Sequence, residues 1–205
     1  KDVHVLTTWC DGHEVLLARS KQVKTLEDLK GLKVRATGMN LTNLMTTLGA
    51  VPVTFPMPDS YLSLDRGVID GMTAPWEAAV SFKLDEVAKY LVPVPWTFFH
   101  FTYSMNKAKW DSLPKDIQDA ITKVNTLENA RMLSRDWEAN AKQEFLRISK
   151  GKVEPYTMPE SELKKLADIS KPLREEWVKK MSAAGRPDAG KVLKRIEELI
   201  PQTAK

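Results

Sequence analysis

A short apolar run that ends in an arginine and a Thr-Gly turn, Gly31-Leu-Lys-Val-Arg-Ala-Thr-Gly38, constrains the fold more than any other stretch of this chain. Apolar residues bounded by turn signals read as a buried strand, and helical spacing follows from Asn40 to Leu48. The alternation then repeats. Gly49 closes the helix, and Val51-Pro-Val-Thr-Phe55 reads as a second strand. Pro58 to Arg66 reads as a short helix stopped by Gly67, a residue suited to the left-handed position after a helix. Val68-Ile-Asp-Gly-Met72 reads as a third strand and Trp76 to Phe82 as another helix. Strands and helices alternating at this pitch imply βαβ units and a mostly parallel sheet. Arg35 is thereby set near the C-terminal end of its strand, where open α/β sheets hold their ligands. A guanidinium there offers paired donors to a carboxylate, and the following helix N-terminus adds partial positive charge. Such an arrangement recognises an anion and contains nothing that transforms one. The plainer alternative is a small α/β domain in which Arg35 pairs with a structural acid.

The flanking regions read differently. Residues 1 to 10 alternate as a strand entering the structure, with Trp9 near its end. Pro93 to Asn106 is rich in aromatics, Trp96, Phe98 and Phe101 among them, and reads as further strands. From Leu113 onward the chain is helical. Pro114 suits a first helical turn and Ser112 is a candidate N-cap. Ile117, Ile121 and Val124 recur at helical spacing, and the stripe persists through Met132, Phe145 and Ile148. With no Gly or Pro over residues 115 to 150, the pattern predicts one long helix, or two joined end to end, halted by Gly151. Lys152 to Thr157 is expected to be extended, followed by helices near 159–168, 171–183 and 188–199. The long stripe is core, or alternatively a dimer contact.

Composition excludes several classes. The formal charge of +4 comes from basic residues scattered among acidic ones, with no basic aromatic platform for nucleic acid. No apolar stretch approaches the ~20 residues that span a bilayer. Cys10 is the single cysteine, so no intrachain disulfide forms, and a lone thiol is best buried. His4, Cys10, Asp11 and His13 cluster, yet their spacing matches no common zinc pattern, and neither metal nor cofactor is expected. No enzyme signature is present either. Ser60, Ser63 and Ser81 lack a glycine elbow, the three histidines form no evident triad, and there is no phosphate loop or dinucleotide fingerprint. An enzyme assembled from residues distant in sequence, or an interaction module, is the alternative to a binding protein.

Thr25-Leu-Glu-Asp-Leu-Lys-Gly-Leu-Lys-Val-Arg35, Leu48-Gly-Ala-Val-Pro-Val53, Gly67-Val-Ile-Asp-Gly-Met-Thr-Ala-Pro75 and Asn106-Lys-Ala-Lys-Trp-Asp-Ser-Leu-Pro114 occur in that order. Together they resemble the extracytoplasmic solute-binding proteins of TRAP transporters, the DctP-type family named for its dicarboxylate-binding member. The resemblance runs over nearly the whole chain. It implies an α/β fold, periplasmic-binding-protein-like (type II), with a mixed, mostly parallel sheet and long C-terminal helices bracing a partial second lobe. It implies residues 1–14 as a crossover strand from lobe I, 15–92 as lobe II, 93–112 as crossover strands, and 113–205 as helices completing lobe I. A protein of this kind resides in the periplasm, binds a small organic acid and hands it to membrane permease subunits, without inserting into the membrane itself. A monomer is expected, with a dimer through the long helix as the alternative. The match begins partway through the family pattern, so the first third of a usual member and its signal peptide are expected to be missing.

The resemblance also nominates a pocket. The arginine matching Arg35 usually forms a salt bridge with the ligand carboxylate. Thr73, Ala74 and Trp76 follow the third strand at the mouth of the same crevice. Many members carry asparagine where Ala74 stands, and alanine has no amide to offer. That loss, with Trp76 nearby, implies a more apolar pocket and a bulky or aromatic carboxylate. Trp76 facing the core is the alternative. Trp9 lines the pocket or covers the core edge, Trp96 and Phe98 complete the wall, Met39 caps the anion, and Glu77 orients Arg35 or faces solvent.

Overall fold

The computed structural model describes residues 2–203. Lys1 and residues 204–205, the outermost positions of the expected first and last segments, lie outside the described residues. Six strands form one sheet among the described residues: β1 (Val3–Ala18), β2 (Lys33–Arg35), β3 (Val51–Val53), β4 (Gly71–Pro75), β5 (Tyr90–Asn106) and β6 (Glu154–Pro155). Their order is β3-β2-β4-β1-β5-β6. β2 runs parallel to β3 and β4, and β5 parallel to β6. β1 is antiparallel to both β4 and β5. The α/β class and the mixed sheet agree with the expectation. The parallel part is confined to short strands, and the long central pair is antiparallel.

Alternation along β1 explains where the cores sit. Leu16 points into one core with Val34, Leu44, Met45 and Val92. Val15 and Leu17 point into the other with Leu64, Met72, Trp76, Leu91 and Phe145. Each such side chain, fully buried, contributes roughly 1.5–3 kcal/mol. Helix α1 (Met39–Thr47) covers the first core. Helices α2 (Ser60–Asp65), α3 (Trp76–Ser81) and the end of α6 (Leu127–Ile148) cover the second. Helix α4 (Lys107–Asp111) extends β5, and α5 (Lys115–Val124) carries no buried residue. Helix α7 (Glu160–Ala183) is fixed to the first core by Leu166, and the buried Glu162 accepts the Leu26 N–H at 2.8 Å. Helix α8 (Ala189–Thr203) ends the described chain.

Several boundaries differ from expectation. The first strand continues past residue 10 to Ala18 because Glu14 to Ala18 pairs with β4, and Val15 to Ala18 with β5 as well. The third strand is Gly71–Pro75 rather than 68–72. Val68 and Ile69 instead form a turn on the Ser63 carbonyl, and Asp70 Oδ2 accepts the Lys33 N–H at 2.8 Å. The long helix is two, α5 and α6. Asn125 Nδ2 donates to the Ile121 carbonyl at 2.8 Å, and Thr126 caps α6 by accepting the Asn129 N–H at 3.1 Å. Ser112 is not the cap of α5. It terminates α4, donating to the Lys109 carbonyl, while Pro114 occupies the N-cap of α5. The helices expected at 159–168 and 171–183 are one, with Pro172 inside α7. Pro172 is exposed, so water can satisfy the carbonyl it leaves free, while Leu166, Ile169 and Leu173 hold the helix to the core.

Candidate ligand-binding site

Strand β2 ends at Arg35, which is only 5% exposed. Its Nε donates to the Phe55 carbonyl at 3.2 Å, and its guanidinium lies 5.5 Å from the Phe55 ring centre. Among the described residues its terminal nitrogens make neither a hydrogen bond nor an ion pair. Burial lowers the pKa of this guanidinium, and the charge of Glu14 acts in the opposite sense. Removing a cation from water costs free energy, and the charge of Glu14 offsets part of that cost for Arg35.

Glu14 is the nearby acid, buried to 1% exposure on β1. Its Oε2 has no hydrogen-bond partner. Burial pushes its pKa up to about 7, with a hydrogen bond to Thr73 and the charge of Arg35 acting downward. Thr73 on β4 is fully buried, and its hydroxyl lies 3.5 Å from the Arg35 carbonyl. The backbone leaves Glu14 without a strand partner on one side. His13 faces Phe98 and Val15 faces Pro93, so Glu14 alone spans Val94 to Thr97 of β5. Pro93 and Pro95 cannot donate to a ladder, and the strands part there. In the same region the buried Trp96 and half-buried Trp9 leave their indole N–H groups without acceptors.

Asp11, also on β1, is equally buried; its oxygens have no partner at ordinary hydrogen-bond geometry, although the nearby Trp137 side chain acts to lower its pKa. Burial, then the charges of Glu77 and Glu138, push its pKa up to about 7. Helix α6 is fastened along this stretch. The Cys10 N–H donates to Ser134 Oγ at 2.8 Å and the His13 N–H to Glu138 Oε1 at 3.3 Å. A hydrogen bond from the His13 side chain keeps Glu138 below the usual glutamate range. Cys10 is half-buried rather than fully enclosed, and burial raises its thiol pKa. His4 stacks on Trp110 at 4.0 Å, and no group of His, Cys, Asp and Glu among the described residues is placed to hold a metal.

A depression of about 300 Å³ opens where the chain leaves β2. Thr37, Gly38 and Met39 form one side, Phe98 and Phe99 the other, and Trp177 of α7 closes an end. Of the residues nominated from sequence, Met39 and Phe98 line this depression; Arg35 at the end of β2 and Thr73 within β4 do not line it, and neither does Glu14 within β1. Trp9 lies further along the β1–β5 ribbon, stacked on Phe101 at 5.4 Å and against Tyr103 at 4.8 Å. Ala74 and Trp76 belong to the second core, where Trp76 packs on Phe145 at 5.8 Å. Trp96 belongs to the first. Glu77 accepts a hydrogen bond from Ser81. Glu14 was not among the residues nominated, although a lone carboxylate heading the apolar run Val15 to Ala18 was its signal.

An open α/β sheet carrying a buried, unpaired guanidinium at a strand end has the form of a small-anion receptor lobe. Comparison with known proteins gives that class its family. The chain belongs to the bacterial extracellular solute-binding proteins of family 7, whose model matches residues 1–180. It is 29% identical over 208 residues to the 2,3-diketo-L-gulonate-binding periplasmic protein of Escherichia coli, covering 97% of this chain and 59% of that protein. A TRAP solute-binding protein from Rhodoferax ferrireducens, solved with copurified benzoate, superimposes with a TM-score of 0.88 at 28% identity, covering 98% of this chain and 63% of that one. A marine metagenome TRAP solute-binding protein specific for aromatic acids, solved with 3-hydroxybenzoate, gives 0.88 and 28%, covering 98% and 64%. The chain thus spans less than two thirds of these relatives. Among the described residues no helix is long and apolar enough to cross a membrane.

Proposed function

We propose that this chain acts in a periplasmic solute-binding protein that captures an aromatic carboxylate through Arg35 and delivers it to a TRAP membrane permease. The observation that carries the reading is the buried guanidinium of Arg35, whose terminal nitrogens make no hydrogen bond or ion pair among the described residues, two positions before Thr37 on the wall of an aromatic-edged depression. A bidentate carboxylate supplies what that guanidinium lacks. Met39, Phe98, Phe99 and Trp177 supply the apolar surface that a ring needs. The benzoate and 3-hydroxybenzoate found in the two similar structures support the same ligand class. Thr73 acts as a polar wall residue, and the long β1–β5 ribbon as the crossover between lobes.

Calorimetric titration with benzoate, 3-hydroxybenzoate and malonate tests this. Aromatic acids are expected to bind more tightly than malonate, and at about a hundred times the dissociation constant to stabilise the fold by ~2.7 kcal/mol. Arg35→Ala is expected to weaken benzoate by ~2–5 kcal/mol, the usual effect of truncating one side of a buried charge pair. Unchanged benzoate affinity in that variant, with its circular dichroism intact, would remove Arg35 from the site.

A further inference from the structure

Helix α6 crosses the β1–β5 ribbon at a bulge. Cys10 pairs with His100 and Gly12 with Phe99, so Asp11 between them has no partner on β5. An extra residue of this kind re-aims its side chain, here beneath the helix. Two hydrogen bonds fasten α6 on either side of Asp11, from the Cys10 N–H to Ser134 Oγ at 2.8 Å and from the His13 N–H to Glu138 Oε1 at 3.3 Å. Gly12, with φ of 82°, admits the helix this closely, because a Cβ there would collide with the Glu138 side chain. Asp11 is thereby shut in to 1% exposure, with neither oxygen at ordinary hydrogen-bond geometry. The charges that act on it are both negative, Glu77 of α3 and Glu138 of α6. A carboxylate enclosed without donors or a cation is penalised far more than its neutral acid. We propose that Asp11 is a proton-operated latch: its neutral acid lets the first half of α6 lie on the ribbon, and loss of the proton lifts that half away.

Little else holds the helix there. Phe145, at the far end, is the buried residue of α6 and stays in the second core, while Leu127 and Met132 in the first half are exposed. A segment with so few buried apolar contacts opens separately from the rest of a fold. Lifting it returns water to Asp11 and parts it from Glu138, so the released form carries the charge at little cost. Of the other groups around Asp11, Trp137 of α6 favours the charged form. Lys142 of α6 acts on Glu138, which the His13 hydrogen bond holds below the usual glutamate range. On the ribbon, Cys10 and His13 flank Asp11, and His100 stands opposite Cys10. The latch also reaches the depression, since His13 packs on Phe98 at 4.3 Å and Phe98 lines it. The sign follows from burial. The docked acid has a pKa of about 7 against an ordinary 3.8, so docking is favoured at low pH and loses ground as pH rises between those values.

Hydrogen exchange of this chain from about pH 4 to pH 8, expressed as protection factors, reads the latch. Protection over residues 127–138 is expected to fall by up to about tenfold per pH unit, to level off above pH ~7, and to lie there below that of Leu16 and Leu17. Asp11→Asn is expected to keep that protection constant with pH. Glu77→Gln removes the larger of the two charges acting on Asp11 and is expected to move the levelling point to lower pH. Protection that does not vary with pH would overturn the proposal. A slope that persists in Asp11→Asn would overturn it too, and assign the proton to His13. So would protection equal to that of Leu16 and Leu17 at every pH, the signature of whole-chain unfolding. If Asp11→Asn loses its circular dichroism, an unmoved levelling point in Glu77→Gln overturns the proposal by itself.

Discussion

Trp76 packs on Phe145 in the second core, with Lys142 Nζ 5.9 Å from its ring centre, rather than beside Arg35. Trp76→Ala is accordingly expected to cost about 3–5 kcal/mol in urea denaturation while leaving the ratio of aromatic to aliphatic acid affinities unchanged. A selective loss of aromatic acids would return the ring to the pocket. Asp11 gives a prediction with a sign. Its folded-state pKa of about 7 lies above the ordinary 3.8, so the folded chain holds more protons than the unfolded chain between those values. Its contribution to stability therefore worsens as pH rises through that window. Asp11→Asn should gain on the unsubstituted chain in melting temperature from about pH 4 to pH 7; a constant difference would contradict the burial argument. The place of Arg35 at the end of a strand was legible in the sequence because strand, turn and helix signals lie within a few residues of it. Glu14 was not, because its environment is made by β4 and β5, and a local pattern carries no register.

The same limit applies to whole elements. Helices α1, α3 and α8 begin and end within a few residues of where their sequence signals put them. Boundaries failed where a signal has two meanings. Pro172 ordinarily breaks a helix, but α7 runs through it because its apolar residues stay anchored. Val68-Ile-Asp reads as strand, yet Asp70 is engaged with Lys33 and the strand begins only at Gly71. Gly71 fits there because a side chain would press on the Leu17 carbonyl of β1. Conversely, Asn125 and Thr126 were stop and cap signals hidden inside a continuous helical stripe. Thr126→Ala removes the cap of α6 and is expected to cost about 1 kcal/mol, read as a lowered denaturation midpoint with an unchanged slope.

At the scale of the molecule, β1 contributes to both cores through alternate residues, Leu16 to one and Val15 and Leu17 to the other. Neither core survives loss of that strand, so heat is expected to melt both together. Coincident near- and far-ultraviolet dichroism transitions would show it, and two separated transitions would contradict it. The break in the β1–β5 ladder has a further meaning for how such a receptor can diverge. Opposite Val94 to Thr97, Glu14 has given up its pairing with β5 and keeps only its place opposite Pro75 of β4. Exchanging the group at position 14 therefore disturbs one strand pairing rather than two, and alters its contact with Thr73 and the charge acting on Arg35. Chemical preference can thus be rewritten at one position while the architecture is inherited unchanged.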